Sequence, residues 1–433
     1  MRLVRLEVTD FRNHPRAAID LEPGANLLVG PNGVGKTNLL EAVIFLASLA
    51  SHRSSQDAAL VRSGTAAAVV RAAVLRSNRR VLVELEIRPG TGVRGRINRV
   101  PVPRSRDLLG AVRAVLFAPE DLALVRGDPD ERRRFLDLLA VQERPRYHSI
   151  RQDYERILKQ RNSLLRSAAG RPPSGAAMAT LDIWDERLAT AGAEVWAERL
   201  RLVGTLQPLV TEAYRELSGR AEEAVGMVYS ASAVAPVSAS AGAGAAGPEA
   251  PEAPEGPRPK PAELAELLRE RYARDRRREL ERGLTLSGPH RDDVLLSLED
   301  LPSRSHASHG EAWSLALALR LASHRWLAAE GDPPVLLLDD VFAELDRDRR
   351  RRLAAAAGDA EQVVVTAAVP EEVPVELRAT RFAVEPGEVR RLDGASTQGR
   401  SGASERSGTV GRELPEPPDR SEPPRAPESD GYT

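Results

Sequence analysis

The chain has 433 residues, 42% of them hydrophobic, and a formal net charge of −1 at pH 7; this length allows two ordinary domains. Cysteine is absent, which excludes disulfides and cysteine-ligated metal sites. No uncharged apolar run is long enough to span a bilayer, and residues 1–5 do not begin a signal peptide. We therefore expect a cytoplasmic protein with no membrane partner.

The N-terminal part is predicted to contain several strands. Residues 1–8 alternate in polarity, which is typical of a strand with one buried face. Residues 67–75 and 81–87 are apolar runs on either side of the polar turn at 77–80, and this arrangement predicts a hairpin. Residues 112–117 predict a further strand.

A glycine-rich run at residues 30–37 matches the phosphate-binding pattern G-x-x-x-x-G-K-[ST] at every fixed position. An apolar strand at 25–29 precedes it and a helix at 38–46 follows, which disfavours the alternative of a glycine-rich turn matched by chance. In such a loop, backbone N–H groups point at phosphate oxygens, Lys36 reaches the β- and γ-phosphates, and Thr37 ligates Mg²⁺. The predicted ATP contacts are Gly30, Pro31, Asn32, Gly33, Val34, Gly35, Lys36, Thr37 and Asn38.

From residue 120 to about residue 282 the apolar spacing is helical, with two of the helices expected at 181–197 and 200–217. Within this part, residues 231–261 consist almost entirely of Ala, Pro, Ser, Gly and Glu. Such a segment cannot bury enough apolar surface to offset its chain entropy, so a disordered insertion is predicted there. The tail at 394–433 has a similar composition and is also predicted to be disordered.

A serine and a glycine precede a long apolar helix predicted at 312–329. Unpaired N–H groups and the helix dipole at that end make Ser308 and Gly310 candidates for a second phosphate site. ATP-binding-cassette (ABC) ATPases place such a signature over the γ-phosphate held by a partner subunit, and Ser308-His309-Gly310-Glu311 is similar to a divergent form of it. A plain Ser/Gly helix cap is the alternative.

The apolar run at 334–338 ends in two carboxylates, as does the Mg²⁺-holding strand of phosphate-loop NTPases. Asp339 is predicted to hold the metal, and Asp340 to polarise the attacking water. The alternative is a buried strand followed by an aspartate that caps a helix. A later strand at 362–365 ends in Thr366, where transporter ATPases carry a switch histidine.

The near-zero net charge conceals clusters of arginine at 132–134, 144–151 and 274–278. Each cluster has Glu or Asp within it or close to it in the sequence, which favours self-paired helix faces over a nucleic-acid surface. Aromatic residues make up only 4% of the chain. Any DNA contact is therefore expected to be made mainly to phosphates and to be relatively indifferent to sequence.

Together these segments resemble the RecF family of bacterial DNA replication and repair proteins, which are related to the heads of SMC-type ATPases. The most specific segment is Ser287-Gly288-Pro289-His290-Arg291-Asp292-Asp293, which ordinary ATPases of this type do not carry. The other matching segments are residues 6–13, the phosphate loop, and residues 115–122, 131–137, 308–311 and 338–346. The resemblance thus extends over most of residues 1–370.

The resemblance implies an α/β fold in which an ABC/SMC-head-like phosphate-loop ATPase lobe, with a mixed sheet, carries an inserted and mainly helical arm lobe. The implied bounds are 1–118 and 284–393 for the two parts of the ATPase lobe, 119–283 for the arm, and 394–433 for the tail. It also places Glu120 at the position of the cassette Gln-loop, as a catalytic candidate beside Asp340.

The implied function is that of a weak, DNA-stimulated ATPase in DNA replication and recombinational repair, with ATP and Mg²⁺ as cofactors. ATP is expected to close a homodimer on double-stranded DNA near gaps or single-strand/duplex junctions, with RecR- and RecO-like mediators as partners. An SMC-like chromosome-organising head remains an alternative. A transporter-type ABC ATPase is a weaker one, because the arm is long and the switch histidine is missing.

Overall fold

In the computed structural model, the described residues are 1–54, 56–168, 175–234, 259–385 and 387–392. Their strands are β1 (Arg2–Phe11), β2 (His14–Asp20), β3 (Gly24–Val29), β4 (Ala68–Arg76), β5 (Arg79–Arg88), β6 (Gly92–Ile97), β7 (Val100–Pro101), β8 (Ala114–Phe117), β9 (Val225–Ser230), β10 (Asp293–Leu298), β11 (Leu301–Pro302), β12 (Val335–Asp339), β13 (Gln362–Ala367), β14 (Thr380–Glu385) and β15 (Glu388–Arg391). Their helices are α1 (Lys36–Ser48), α2 (Leu122–Arg126), α3 (Pro129–Glu143), α4 (Arg146–Ala168), α5 (Gly175–Ser218), α6 (Pro261–Arg282), α7 (Ser303–His306), α8 (His309–Ala329) and α9 (Arg347–Gly358).

The central sheet has the strand order β15-β14-β3-β13-β12-β8 and is mixed, because only β15 runs antiparallel to its neighbour. Both of its faces are covered, which explains the continuous apolar sequence of β12. Leu336 and Leu338 face a core formed with α8 and the other long helices. Leu337 points to the opposite face and joins a second core with α1 and the N-terminal strands.

The second sheet is antiparallel, with the order β2-β1-β4-β5-β6-β7. The predicted hairpin at 67–87 is confirmed, and its turn residues Ser77 and Asn78 have φ angles of 45° and 60°, as a tight hairpin turn requires. β2 and β6 were not predicted. β6 combines two glycines with two arginines, so its pairing with β5 specifies it more than its own propensity does.

The helical part corrects two predictions. The helices expected at 181–197 and 200–217 are one 44-residue helix, α5, which continues through Pro208. Glu198 and Arg199, which separate the two predicted helices, are good helix formers, and packing of α5 in the core with α4, α6 and α8 outweighs the break signal of Pro208. In addition, the expected all-helical region contains β9, which pairs with β10, the central strand of a three-stranded sheet that β11 completes.

The ends of the predicted disordered insertion are also corrected. Residues 231–234 form a turn in which Ala233 is buried, and Pro261 begins α6. Residues 235–258 and the tail at 394–433 lie outside the described residues. Residues 1–394 form one compact unit, and the lobe boundaries inside it stay predictions. None of the helices in the described ranges is long and apolar enough to cross a membrane.

Candidate nucleotide-binding site

The sheet topology brings the phosphate loop and the acidic pair to one edge. β3 and β12 lie on either side of β13, and all three strands are parallel, so their carboxyl ends meet. Thr366 at the end of β13 lies opposite Asp339 on one side and opposite Leu28 on the other. The Thr37 hydroxyl donates to Asp339 Oδ1 at 3.0 Å, although these residues are 302 positions apart in the chain.

The loop backbone needs its glycines. Gly35 has φ 110° and directly precedes α1, and a side chain there would collide with the ring of His14. A Cβ at Gly30 would come within 2.5 Å of the Val384 carbonyl oxygen. The buried Lys36 donates from Nζ to the carbonyl oxygen of Gly30 at 2.8 Å and to that of Pro31 at 3.3 Å. The structure therefore places the predicted lysine against the loop that it is expected to serve.

Two residues of the β1–β2 turn support the loop from outside. Asn13 Nδ2 donates to the Val34 carbonyl oxygen at 3.0 Å, and its Oδ1 accepts from Asn38 Nδ2 at 2.7 Å. His14 Nε2 lies 3.0 Å from the Gly35 carbonyl oxygen and must carry the proton, because a carbonyl only accepts. Burial lowers the pKa of His14. Sequence reasoning assigned no role to Asn13 or His14.

An ion pair on α1, the helix that follows the phosphate loop, was also not predicted from the sequence. Glu41 is fully buried on the otherwise apolar α1, and Arg12 donates to its two carboxylate oxygens at 2.8 and 2.6 Å. A lone glutamate in an apolar helical stretch was a signal for such a partner, since buried charges are nearly always paired. Arg53 Nη1 donates to Asn38 Oδ1 at 3.1 Å and so also lies beside the loop.

Asp339 is buried and accepts from the Thr366 hydroxyl at 2.6 Å as well as from Thr37. Burial raises the pKa of Asp339 to about 6, with further contributions from the charges of Asp340 and Glu120. No arginine or lysine in the described part of the chain forms an ion pair with it. A buried carboxylate without a cationic partner, beside a threonine hydroxyl, fits Mg²⁺.

A Mg²⁺ ion at Asp339 and Thr37 would take its remaining ligands from elsewhere. Within the described ranges, no group of three or more His, Cys, Asp or Glu side chains could hold a metal ion. Mg²⁺ usually binds through one or two carboxylates together with substrate phosphates and waters. Thr37 and Asp339 are therefore sufficient as the protein's share of such a site.

The two catalytic candidates lie at the same sheet edge. Asp340 is partly exposed, has φ 49°, and donates its backbone N–H to the Thr366 hydroxyl at 2.9 Å. Its side chain makes no capping hydrogen bond to the short helix Val341–Glu344, so the helix-cap alternative does not account for it. Glu120 is exposed on the short helix Pro119–Asp121, which follows β8 beside β12.

Ser308 caps α8 within its own chain. Its Oγ accepts from the Glu311 N–H at 3.3 Å, and the Glu311 carboxylate accepts from the Ser308 N–H at 2.9 Å and from Arg220 at 2.8 Å. Gly310 lies against the guanidinium of Arg349. Ser308 is exposed, and in the described part of the chain no hydrogen bond or ion pair joins this turn to the phosphate loop.

A phosphate loop and an acidic strand on a mixed sheet, with a helical arm and an exposed Ser308 turn at the start of the buried helix α8, define an ATPase head of the ABC and SMC kind. Residues 2–380 match the model of the RecF/RecN/SMC N terminal domain family. The chain is 52% identical over 393 residues to the DNA replication and repair protein RecF of Frankia alni, across 90% of this chain and 100% of that one. It is 51% identical over 399 residues to RecF of Streptomyces avermitilis, with the same coverage.

Two solved structures are similar as well. They are of the recombination mediator protein RecF in the RecFOR pathway, as RecF-ATPrS and as RecF-ATP, and align with TM-scores of 0.77 and 0.76 at 27% identity. The alignments cover 90% of this chain and 98% and 97% of those chains. The chain therefore belongs to the RecF family of DNA replication and repair proteins, and both the resemblance and the expected fold class are confirmed.

Proposed function

We propose that this chain is an ATP-dependent DNA-binding protein of replication and recombinational repair, with weak ATPase activity that DNA stimulates. The proposal draws on the RecF relatives, which are DNA replication and repair proteins, and on the solved relative with ATP. The main supporting observation is where the parts of the site lie in one chain. The phosphate loop and the acidic residues after β12 converge, while the exposed Ser308 turn does not contact them.

The residues take the following parts in the proposed mechanism. Lys36 and the loop N–H groups hold the nucleotide phosphates, and Thr37 and Asp339 hold Mg²⁺, which neutralises charge on the phosphoryl oxygens when bound. Asp340 orients the attacking water, with Glu120 as the alternative candidate. Ser308 and Gly310 of a second copy cover the γ-phosphate, so two chains bury two nucleotides between them.

Closure of the two chains forms a clamp on duplex DNA near gaps or single-strand/duplex junctions, and hydrolysis reopens it. RecR- and RecO-like mediators are the proposed partners of the closed state, since the solved relatives are described as mediators in the RecFOR pathway. An SMC-like chromosome-organising head is the second candidate. Long-range compaction of DNA by the protein would favour that candidate.

The test is a sizing measurement with and without ATP and duplex DNA. We expect a monomer that becomes a dimer only with ATP. Ser308→Arg places a bulky cation at the proposed γ-phosphate contact, so the variant is expected to bind ATP as a monomer and to lose both the dimer and ATP-dependent duplex binding.

Mixing the Ser308→Arg and Lys36→Ala variants distinguishes a nucleotide site built from two chains from a role of Ser308 within its own chain. In the mixed dimer one composite site carries both substitutions and the other carries neither, so ATPase activity is expected to return. If both variants are folded and pair but no activity returns, Ser308 acts only within its own chain, and the two-site arrangement is wrong.

A further inference from the structure

One stretch of the sequence carries a clear excess of positive charge. Residues 79–106 contain eight arginines and two glutamates, in a chain whose net charge is −1. They form β5, β6 and β7, the last three strands of the antiparallel sheet. The clusters that the sequence first suggested, such as 132–134, lie elsewhere.

The acids of this stretch are already paired. Glu84 binds Arg71 and Arg96, and Glu86 binds Arg88. Five further arginines are exposed and, within the described residues, form no side-chain hydrogen bond or ion pair. We call these five residues the arginine rim. Its members are Arg79, Arg80, Arg94, Arg99 and Arg104.

Two adjacent turns bring part of the rim together. Arg79 and Arg80 follow the β4–β5 turn, where Arg80 pairs with Leu75. The β6–β7 turn lies beside the start of β5, because Asn98 N donates to the Leu82 carbonyl oxygen at 2.8 Å and Asn98 Oδ1 accepts from Leu82 N at 2.9 Å. Arg99 of that turn is therefore at the same end of the sheet as Arg79 and Arg80.

The sheet holds the rim rigidly. Val83, Leu85 and Ile87 of β5 are fully buried in the core, so that strand cannot shift without breaking it. Arg94 lies opposite Glu86 in the register of β5 and β6, so it stands on the other, outer face of the sheet. The arginines are thus carried on a packed framework, which lowers the entropy cost of engaging several charges at once.

The exposed guanidinium groups of Arg79, Arg80 and Arg99 lie at one end of the sheet without acidic partners, and a polyanion can supply the missing opposite charge. Their planar donor groups match phosphate oxygens. Residues 79–106 contain no Phe, Tyr or Trp, whereas binding of single strands relies on aromatic stacking. We infer that the arginine rim contacts the phosphates of duplex DNA; this inference rests on the proposed function and adds the surface that performs it.

The test compares two triple variants. Arg80→Gln with Arg94→Gln and Arg99→Gln removes three rim charges. Arg156→Gln with Arg274→Gln and Arg277→Gln removes three exposed arginine charges from α4 and α6 and serves as the control. Duplex binding is measured against salt concentration with ATP and Mg²⁺ present, alongside thermal unfolding and nucleotide binding.

We expect the rim variant to bind duplex DNA at least about tenfold more weakly. The slope of log affinity against log salt is expected to fall by about 0.9 for each phosphate that the variant no longer neutralises. Folding, nucleotide binding and the control variant's DNA affinity are expected to stay unchanged.

An unchanged rim variant, or an equal loss in the control, overturns the inference and leaves the proposed function intact. The inference is also overturned if the rim variant keeps its DNA affinity and loses only binding to an acidic protein partner. Failure of the unaltered protein to bind duplex DNA overturns the proposed function together with the inference.

Discussion

The phosphate loop and the turn at 287–293 are the two most specific segments of the sequence, and the structure uses their polar groups differently. In the loop, glycines shape the backbone, and the side chains of Lys36 and Thr37 bond only to the loop itself and to Asp339. In the turn, nearly every polar group is bonded inside the protein. Ser287 donates to Asp275 at 2.8 Å, and Asp292 accepts from Tyr229 at 2.7 Å.

The rest of the turn follows the same principle. The Pro289 carbonyl oxygen accepts from the buried Arg199 at 2.6 Å, and His290 Nδ1 accepts from the Tyr154 hydroxyl at 2.7 Å. Asp293 binds Arg132 of α3. The turn therefore ties α3, α4, α5, α6 and β9 together. The comparison teaches that a segment's rarity shows that it matters, whereas the number of separate elements that its polar groups join shows whether it holds the fold together.

The largest expected effect tests the architectural side of this comparison. Arg199→Met removes the cation that donates to both oxygens of the buried Asp137 at 2.9 Å and leaves only Arg151, 3.8 Å away, as a charged partner. Breaking a buried pair in this way costs about 3–5 kcal/mol, so the free energy of unfolding is expected to fall by that amount. Arg277→Met, which removes an exposed pair with Glu281, is the control and is expected to change it by less than about 0.5 kcal/mol. Chemical denaturation measures both. A loss of under about 1 kcal/mol for Arg199→Met contradicts the architectural role.

The next largest effect tests the proposed nucleotide site, which is the other half of the comparison. Asp340→Asn removes the proposed water-orienting carboxylate and keeps Asp339, the proposed Mg²⁺ ligand. We expect ATP turnover to fall about a hundredfold or more, with an ATP-bound dimer accumulating and stability unchanged. Asp359→Asn, at the far end of α9, is the matched control. Normal turnover in Asp340→Asn moves the role to Glu120 or Glu311, which are the next residues to replace.

Lys36→Ala is expected to weaken ATP binding by about ten- to a hundredfold, because charge-assisted hydrogen bonds of about 1.5–3 kcal/mol are lost. Lys36→Arg is expected to be milder for binding and still harmful for hydrolysis, since a planar group does not replace a compact ammonium. Lys159→Ala, on the exposed face of α4, is the control. Calorimetric titration with ATP measures the affinities, and unchanged binding in Lys36→Ala removes the loop from the mechanism.

The smallest effect is a pH dependence that comes from the turn. Burial lowers the pKa of His290 to about 4 from its ordinary 6.5, and the neighbouring charges of Arg291, Arg133 and Arg161 add to this effect. Between these values the unfolded chain binds the proton more readily, so the contribution to stability is present above pH 6.5 and is lost as the pH falls towards 4. We expect about 2 kcal/mol to be lost between pH 7 and pH 5. His290→Gln is expected to remove this share of the pH dependence, and an identical pH profile in the variant contradicts the assignment.

Much of the fold could be predicted because its signals are local. The hairpin at 67–87, the phosphate loop between strand and helix, and the acidic strand each carry their own residue pattern. β9 was missed because its pairing with β10 decides its structure. The prediction divided α5 into two helices because a local pattern does not show the packing on several other helices that keeps α5 continuous. The roles assigned to Asp340, Glu120 and Ser308 stay predictions.

The sequence by itself determined the nucleotide-binding chemistry, since the order of Gly, Lys and Thr shapes a loop whose function lies in its own backbone. Only the tertiary structure decided which charged side chains are paired inside the protein and which are free to bind a ligand. It paired Arg132 with Asp293, 161 positions away, and left the arginine rim without acids. It likewise joined Thr37 to Asp339 and placed Asn13 and His14 under the loop. The physical reason is that an ion pair depends on distance in space, and a local sequence pattern does not record which distant residue comes near.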